Sequence, residues 1–367
     1  MLTTDYAEPG VGPDADHDRD VHRELRWYWH DHAFPRRGWR ERVRIERHNA
    51  AVLEGHLGGW RPDAVCWWGM GGMSLALIER VRRARVPAVG VVGDEWMVWG
   101  PRADRWLRPF RKRPALARVA ERLTGLPTRP DLATAATWLF NSDHVRRASL
   151  IAQPRLQRAQ VAYPGIDDAL FTAAEPRDWE GRLLYLGRFD QRKGVHVAIR
   201  ALALLPSDTT LVLQGSGDTD YLRSIGDAAS ELGVSGRVVF SARPRSDLRD
   251  VYAEADVVLF PVQWEEPWGL VPIEAMAVGR PVVASGTGGS AEYLEHEVNA
   301  LLYSPRDSAE ALAEAVRRLA SDAGLRDRLR VAGKRTASRF TESAYNAEIA
   351  AAIETAVTSR HAGSISE

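Results

Sequence analysis

The sequence predicts an α/β protein made of two doubly wound, Rossmann-like domains. Short runs rich in β-branched residues and leucine alternate with amphipathic stretches, which is the pattern of a parallel sheet covered by helices. Glycine or proline stands at most of the boundaries between these runs. The length of 367 residues favours two domains, because a domain takes about 100 to 200 residues.

The second half shows the alternation most clearly. Strands are predicted at residues 183–186, 211–214, 238–240, 257–260 and 281–285. Helices are predicted at residues 195–205, 221–232 and 270–278. Because most of the strands lead directly into a helix, we expect a parallel sheet with crossover connections.

The first half carries the same pattern more sparsely. Strands are predicted at residues 1–6, 64–68, 88–92, 138–141 and 160–162. A linker containing Pro176 spans residues 171–179, and the last helix is rich in alanine. We therefore predict a first domain at 1–175, a second at 176–338 and a C-terminal helix at 339–367 that packs back on the first domain.

The charge balance argues against a nucleic-acid partner. Basic and acidic residues number 49 each, so the chain has no global basic field. The single cysteine, Cys66, excludes an intramolecular disulfide framework. The longest uncharged stretch, 64–78, is too short for a membrane span, and no signal peptide is evident at the N-terminus. These features predict a cytoplasmic location.

A basic segment at 102–113 surrounds Trp106, Leu107 and Phe110 with cations. Such a segment is compatible with peripheral contact to an anionic membrane surface, which would place the protein at the inner membrane surface. An ordinary solvated loop face accounts for the same residues and is the favoured interpretation.

The loop after the strand at 183–186 is a candidate phosphate site. Gly187, Arg188, Lys193 and Gly194 precede a predicted helix, whose first N–H groups and positive dipole end attract anions. Arg188 and Lys193 would clamp a diphosphate. A surface turn with two exposed cations explains this segment equally well when it is taken alone.

A second segment strengthens the phosphate hypothesis. Glu266 lies in a loop and Glu274 on the following helix, with seven residues between them. Two carboxylates placed in this way can accept hydrogen bonds from hydroxyls at both ends of a nucleotide sugar. The N–H groups of Gly269 and Leu270, at the helix start, can meet hydroxyls or phosphate oxygens.

A third glycine-bearing loop, residues 286–289, follows the strand at 281–285. Ligands of open parallel sheets bind at the carboxyl ends of the strands. Three such loops in order therefore predict a nucleotide site at one sheet edge.

Together these segments resemble the retaining GT-B glycosyltransferases of family 4. The family's GR-x4-KG loop stands here as Arg188 with Lys193, and its E-x7-E motif as Glu266 with Glu274. The resemblance is close over about 161–320 and looser before it, where it includes YPGID at 163–167.

The resemblance implies two Rossmann-like domains facing a cleft, with the donor in 176–338 and the acceptor side in 1–175. The donor would be a nucleotide diphosphate sugar, with UDP favoured over GDP, and its anomeric configuration would be kept on transfer to an acceptor hydroxyl. The acceptor would be a saccharide, a lipid-linked molecule or a small molecule. No cofactor and no metal are expected.

The resemblance also implies roles for individual residues. Arg188 and Lys193, in the loop that Gly187 opens, would hold the diphosphate and stabilise the charge that develops on it. Glu266, with the amides near Gly269 and Leu270, would bind the transferred sugar.

Three further assignments concern other parts of the chain. Glu274 would bind the ribose hydroxyls, and Arg243 would lie near the nucleobase. The family's usual histidine after the fourth strand is not evident, so Asp94 is the nearest candidate for orienting the sugar or acceptor, with an ordinary acidic loop residue equally supported.

Asp218 and Asp220 spell a DxD motif, but they open a predicted helix, and we interpret them as structural. The family usually begins with a strand, a glycine loop and a helix, and the strand at 1–6 corresponds to its second strand. The first domain is therefore predicted to lack its opening strand-loop-helix unit. Two alternative functions stay open, a non-catalytic nucleotide-sugar binding protein and a GT-B nucleotide-sugar epimerase.

Overall fold

The computed structural model describes residues 1–5, 20–29 and 34–364, with side chains as far as residue 359. Tyr6, the last residue of the strand predicted at 1–6, lies outside the described residues. The chain forms two compact units. The first comprises Met1–Asn141, Val145–Val161 and Ile349–Glu367, and the second comprises Ser142–His144 and Ala162–Glu348.

The first unit contains two parallel sheets. Its strands are β1 (Leu2–Thr4), β2 (His22–Leu25), β3 (Val65–Trp68), β4 (Ala88–Val92), β5 (Thr137–Phe140) and β6 (Ala159–Val161). Its helices are α1 (Trp39–Trp60), α2 (Ala76–Arg83), α3 (Trp96–Ala103), α4 (Pro114–Thr124), α5 (Leu132–Ala135) and α6 (Asp143–Ala152), although the first two residues of α6 are grouped with the second unit. The strands β1 and β2 pair with each other, and the other four form a sheet in the order β3-β4-β5-β6.

The second unit is built on one parallel sheet. Its strands are β7 (Arg182–Leu186), β8 (Thr210–Gln214), β9 (Val238–Ser241), β10 (Val257–Phe260), β11 (Val282–Ala284) and β12 (Leu301–Leu302). Its helices are α7 (Val195–Ala203), α8 (Thr219–Glu231), α9 (Leu248–Ala253), α10 (Val271–Val278), α11 (Ala309–Ser321) and α12 (Ala323–Ala337). The last helix, α13 (Glu342–Ser364), starts in this unit, and its residues from Ile349 onward belong to the first.

The strand order of this sheet reverses at one place. The order is β12-β11-β10-β7-β8-β9, so the chain builds outward from β7 in one direction and then returns to build from β10 in the other. At such a switch point the loops after the two central strands diverge and leave room for a ligand. The doubly wound fold predicted for this half is confirmed.

The predicted strands agree with the observed ones to within one residue at each end where both are described, whereas β2 and β12 were not predicted. The strand β12 has two residues, and β2 reads His-Arg-Glu-Leu, so neither carries the apolar pattern from which strands are recognised.

The apolar residues of the basic segment belong to the core. Trp106, Leu107 and Phe110 are buried, and the Trp106 indole N–H donates a hydrogen bond to the Pro127 carbonyl at 2.7 Å. A helix lying on a membrane would need these side chains on its surface. The structure thus supports the solvated loop face. None of the helices in the described ranges is long and apolar enough to cross a membrane.

A buried acidic pair lies in the first unit. Glu46 on α1 is 1% exposed and accepts a hydrogen bond from the Tyr28 hydroxyl at 2.7 Å. Asp104 is also buried and accepts hydrogen bonds from the backbone N–H groups of Leu75, Trp106 and Leu107. Burial, with the nearby charge of Asp104, raises the pKa of Glu46 to about 8.

The raised pKa of Glu46 predicts that stability falls as pH rises from about 4.5 to about 8. The folded chain holds this proton up to about pH 8, and an unfolded glutamate loses it near 4.5, so the free energy of unfolding falls as pH rises between those values. Glu46→Gln cannot ionise and keeps a partner for Tyr28. We expect its melting temperature at pH 8.5 to exceed that of the wild type, by about 2 to 4 °C for each kcal/mol of unfolding free energy gained. At pH 5 the two melting temperatures should be similar.

The control is Glu54→Gln, since Glu54 lies on the same helix and is 60% exposed on its side chain. This variant should follow the wild-type melting curve across the pH range. Parallel pH profiles for Glu46→Gln and the wild type would show that Glu46 does not carry the effect.

Candidate active site

The loop after β7 is shaped by Asp190. Its carboxylate accepts hydrogen bonds from the N–H groups of Arg192 and Lys193, at 2.9 and 3.2 Å, and so caps the 3-10 helix Gln191–Lys193. Gly194 follows with φ +75°, and a Cβ there would lie 1.8 Å from the Pro261 carbonyl oxygen. Glycine at this position allows α7 to begin directly beside the backbone of the loop that follows β10.

Two arginines of this loop share one partner. The Arg188 and Arg192 guanidinium groups lie 3.1 and 3.3 Å from Asp190 Oδ2. Partial burial raises the pKa of Asp190, but the two cations outweigh it and hold the pKa below its ordinary value. Arg188 is 58% exposed on its side chain, and its carbonyl accepts a hydrogen bond from the Tyr185 hydroxyl at 2.9 Å. The loop is thereby fixed while the Arg188 guanidinium stays accessible.

The second cation joins the two central loops. Lys193 Nζ lies 2.7 Å from Glu266 Oε2, with the two side chains 21% and 10% exposed. Lys193 follows β7 and Glu266 follows β10, so this ion pair spans the switch point of the sheet. Glu266 Oε2 also accepts the indole N–H of Trp264 at 2.8 Å. Among the described residues, Glu266 Oε1 carries no hydrogen bond.

The loop that carries Glu266 is held by the loop after β11. The Gly289 N–H donates to the Glu266 carbonyl at 2.6 Å. Gly288 has φ +63°, and a Cβ on it would lie 2.4 Å from the same carbonyl oxygen. Because backbone packs directly on backbone, the position of Glu266 is set by contacts that a larger side chain would break.

Gly269 and Leu270 lie at the start of α10, as the sequence predicts. Leu270 occupies the N-cap position, and its carbonyl accepts the Glu274 N–H at 2.9 Å. Gly269 has φ +88°, and its carbonyl accepts the Tyr293 hydroxyl at 2.5 Å. The Trp268 indole N–H donates to the Pro164 carbonyl at 3.0 Å, which attaches this loop to the YPGID segment.

Glu274 lies in a different environment from Glu266. It is 6% exposed, and its Oε2 accepts a hydrogen bond from the Tyr252 hydroxyl at 2.6 Å. Burial raises the pKa of Glu274, since no cation contacts the carboxylate among the described residues. Its other oxygen, Oε1, carries no hydrogen bond in the described part of the chain.

Arg243 is engaged by acidic side chains. Its guanidinium lies 3.0 Å from Glu254 and 3.7 Å from Asp247, and its backbone exchanges hydrogen bonds with the Gln214 amide. The structure therefore places Arg243 after β9 with partners of its own, rather than in contact with the Lys193–Glu266 pair.

Asp94 belongs to the first unit. It is exposed and accepts the Trp96 N–H at 2.7 Å, at the start of α3. This contact is the one that an ordinary acidic loop residue makes before a helix.

The DxD motif has the structural role that was predicted for it. Asp218 is the N-cap of α8 and accepts the N–H groups of Asp220 and Tyr221. Asp220 pairs with Arg223 at 2.9 Å.

Two residues of the site were not found from the sequence. Trp264 holds Glu266, and its ring lies 4.7 Å from the Arg192 guanidinium and 5.5 Å from Lys193 Nζ. Its position two residues before Glu266 was a usable signal. Tyr252 lies 22 residues before Glu274 in sequence, and nothing local connects them.

Comparison with known families finds a match within the second unit. Residues 170–336 match the profile of the family described as glycosyl transferases group 1. Residues 170–336 are therefore similar to a group 1 glycosyltransferase domain and are called the group 1 domain below. This domain contains the Lys193–Glu266 pair, Glu274 and all three glycine-bearing loops.

Several curated glycosyltransferases match part of the chain. An uncharacterised glycosyltransferase of Methanocaldococcus jannaschii is 41% identical over 155 residues, covering 41% of this chain and 38% of its own. A D-inositol 3-phosphate glycosyltransferase of Xylanimonas cellulosilytica is 37% identical over 202 residues, covering 50% of this chain and 48% of its own. The matched stretch thus spans less than half the length of either relative.

Solved structures extend the likeness to the fold of both units. The Anabaena protein HepE in complex with UDP matches with a TM-score of 0.66 at 24% identity, over 84% of this chain and 82% of that one. The sucrose-phosphate synthase of Thermosynechococcus elongatus matches with a TM-score of 0.67 at 22% identity, over 100% and 89%. The group 1 domain and the first unit therefore have the Rossmann-like folds of a GT-B glycosyltransferase.

The largely buried Lys193–Glu266 ion pair predicts a measurable coupling. We expect Lys193→Met, Glu266→Gln and the double variant to show an interaction energy of about 0.5 to 3 kcal/mol in the free energy of unfolding, measured by denaturant titration. The reason is that each single variant leaves the partner charge uncompensated near the protein interior.

The neighbouring pair Arg306–Glu265 is a matched control, since it lies 3.2 Å apart and is 41% and 49% exposed. Its coupling should be smaller, about 0 to 1 kcal/mol, because solvent screens it. Equal coupling in the two pairs would argue against a special role for Lys193–Glu266 in joining the loops.

Proposed function

We propose that this chain is a retaining, metal-independent glycosyltransferase of family 4, which moves a sugar from a nucleotide diphosphate donor to an acceptor hydroxyl. The observation that carries the proposal is the ion pair between Lys193 and Glu266 at the switch point of the group 1 domain. It brings a cation for phosphate and a carboxylate for sugar hydroxyls to the sheet edge where nucleotides bind.

The surroundings of Lys193 suit a diphosphate. Helix α7 begins at Val195, directly after Lys193 and Gly194, and its N-terminus offers N–H groups and a positive dipole end. Arg188 adds an accessible guanidinium from the same loop. The HepE structures contain UDP and UDP-glucose, which supports a UDP-sugar in preference to a GDP-sugar.

The two cations would act mainly as the glycosidic bond breaks. Negative charge then grows on the leaving diphosphate, and Arg188 and Lys193 would stabilise it without a metal ion. The leaving phosphate would accept the proton of the acceptor hydroxyl on the same face of the sugar, which retains the anomeric configuration. Glu266 would hold sugar hydroxyls through Oε1, which carries no hydrogen bond within the described ranges, and would not form a covalent bond with the sugar.

Glu274 is suited to neutral hydroxyls rather than to phosphate. Its carboxylate is buried, and Tyr252 holds Oε2 at 2.6 Å, which fixes the direction of Oε1. We assign the ribose hydroxyls to this oxygen. For the acceptor we keep three classes, a saccharide, a lipid-linked molecule and a small molecule, and we propose that transfer takes place in the cytoplasm.

The donor assignment is tested by calorimetric titration of the chain with UDP, GDP and ADP in the absence of metal. We expect UDP to bind most tightly and Glu274→Ala to weaken its binding by about 0.5 to 3 kcal/mol, through lost hydrogen bonds to ribose. Glu265→Ala is the control, because Glu265 is exposed beside Glu266 and pairs with Arg306. UDP affinity unchanged in Glu274→Ala would refute the ribose assignment.

The catalytic assignment is tested by Arg188→Ala, with release of UDP from UDP-glucose followed over a panel of saccharide acceptors. If Arg188 acts in the transition state, kcat should fall by a larger factor than KM rises. Arg192→Ala is the matched control, since Arg192 shares Asp190 and the loop with Arg188, and it should stay near wild-type turnover.

Other results of this assay separate the alternative functions. Tight donor binding with no transfer to any acceptor would favour a non-catalytic binding protein. Conversion of UDP-glucose into an isomer without an acceptor would favour an epimerase. Either result would overturn the proposed transfer reaction while leaving the nucleotide site in place.

A further inference from the structure

The first unit contains a cluster of metal-ligating side chains remote in sequence from every site residue assigned above. His22 and Glu24 lie on β2, and His56 lies near the end of α1. One ligand atom from each of the three residues lies within 4.8 Å of the other two, the only such group among the described residues. The fold brings His56, on α1, close to Glu24, on β2, although the two residues are 32 positions apart in sequence.

The two separations from Glu24 lie at or just beyond the long end of hydrogen-bond lengths, and they also fit ligands of one metal ion. Glu24 Oε1 lies 3.3 Å from His22 Nδ1 and 3.2 Å from His56 Nε2. A hydrogen bond between an imidazolium and a carboxylate is usually about 2.7 to 2.9 Å long. Ligand atoms about 2.0 to 2.2 Å from a tetrahedral zinc ion lie about 3.3 to 3.5 Å from each other. Both observed separations are close to that value.

His48 provides an internal contrast on the same helix. Its Nε2 contacts the backbone carbonyl of Glu24 at 2.8 Å, an ordinary hydrogen-bond length. The imidazoles of His22 and His56 instead direct a nitrogen toward the Glu24 carboxylate at a greater separation. Two imidazoles and one carboxylate are a ligand set that zinc and related divalent transition metals take.

Access and packing also suit a metal ion. The side chains of His22, Glu24 and His56 are 39%, 48% and 16% exposed, so an ion can enter and retain water at its open position. The Trp60 ring packs against both imidazoles, with centroid distances of 5.1 Å to His22 and 4.4 Å to His56. The tryptophan restricts the orientation of both ligands, while solvent around His22 leaves room for its ring to adjust.

We propose that His22, Glu24 and His56 form a binding site for a divalent transition metal ion, with zinc as the reference ion. Three protein ligands leave a position for water, and the bound ion connects β2 to the end of α1. The site shares no residue with the proposed nucleotide site, and it does not depend on the proposed transfer reaction.

The test uses the full-length, untagged chain after treatment with a chelator and dialysis. Zinc is titrated calorimetrically, and Co²⁺ is used as a spectroscopic probe. We expect one equivalent of zinc to bind, to raise the melting temperature, and to be replaced by Co²⁺ with the strong visible absorption of a four- or five-coordinate ion. His56→Ala and Glu24→Gln should each weaken zinc binding at least about tenfold, since even the loss of an outer partner of a metal ligand costs 10- to 100-fold.

His48→Gln is the matched control, since it removes a neighbouring imidazole that does not face the carboxylate, and it should bind zinc as the wild type does. Glu24→Gln keeps the hydrogen-bonding shape of the cluster, so its circular dichroism spectrum should match the wild type even if His56→Ala folds poorly. The proposal is overturned if the wild type binds no zinc, or if Glu24→Gln binds it as tightly as the wild type does.

Discussion

The Lys193–Glu266 ion pair is the contact on which the candidate active site depends. It joins the loops after the two central strands at the point where the strand order reverses. Both side chains are largely shielded from water, and each charge is stabilised there by the opposite charge of its partner. The pair is supported on two sides, by Asp190, which caps the short helix ending at Lys193, and by Gly289, which holds the Glu266 backbone. The sheet therefore fixes where opposite charges meet, and the glycines determine how closely the loops approach.

The two glutamates of the E-x7-E motif lie in contrasting environments, and the contrast suggests different tasks. Glu266 has a cation and an indole N–H on one oxygen, whereas Glu274 is buried against the phenol of Tyr252. Burial raises the pKa of Glu274, so hydroxyl donors that replace lost water would stabilise its carboxylate, whereas a phosphate would be repelled by it. In the proposed function, the carboxylate beside Lys193 lies close to the donor phosphates. These surroundings are compatible with the division between sugar and ribose in the proposed function, which the family resemblance implies.

The two units differ in how far their similarity to known proteins extends. The match to glycosyl transferases group 1 covers 170–336, whereas the structural match to HepE covers 84% of the chain. A fold can persist where side chains diverge, because a parallel sheet needs buried apolar strands rather than particular polar residues. The first unit keeps such strands, and β4 is buried throughout. The interpretation of its polar features, the Glu46–Asp104 pair and the His22–Glu24–His56 cluster, rests on contacts within this chain and not on similarity to other proteins.

The sequence by itself determined the α/β class and nearly all of the longer strands. It also predicted that Lys193 and Glu266 lie at the same edge of one sheet. These are consequences of local pattern, since the alternation of apolar runs and glycine-bearing loops is written in consecutive residues. Only the tertiary structure showed that Trp264 and Tyr252 hold the two glutamates, that Arg243 is engaged by Glu254, and that Trp106 and Phe110 are core residues. It also brought His22 and His56 to one carboxylate, although their spacing in sequence is not that of a zinc motif. Contacts between residues far apart in sequence depend on how strands and helices pack, and no local pattern encodes that packing.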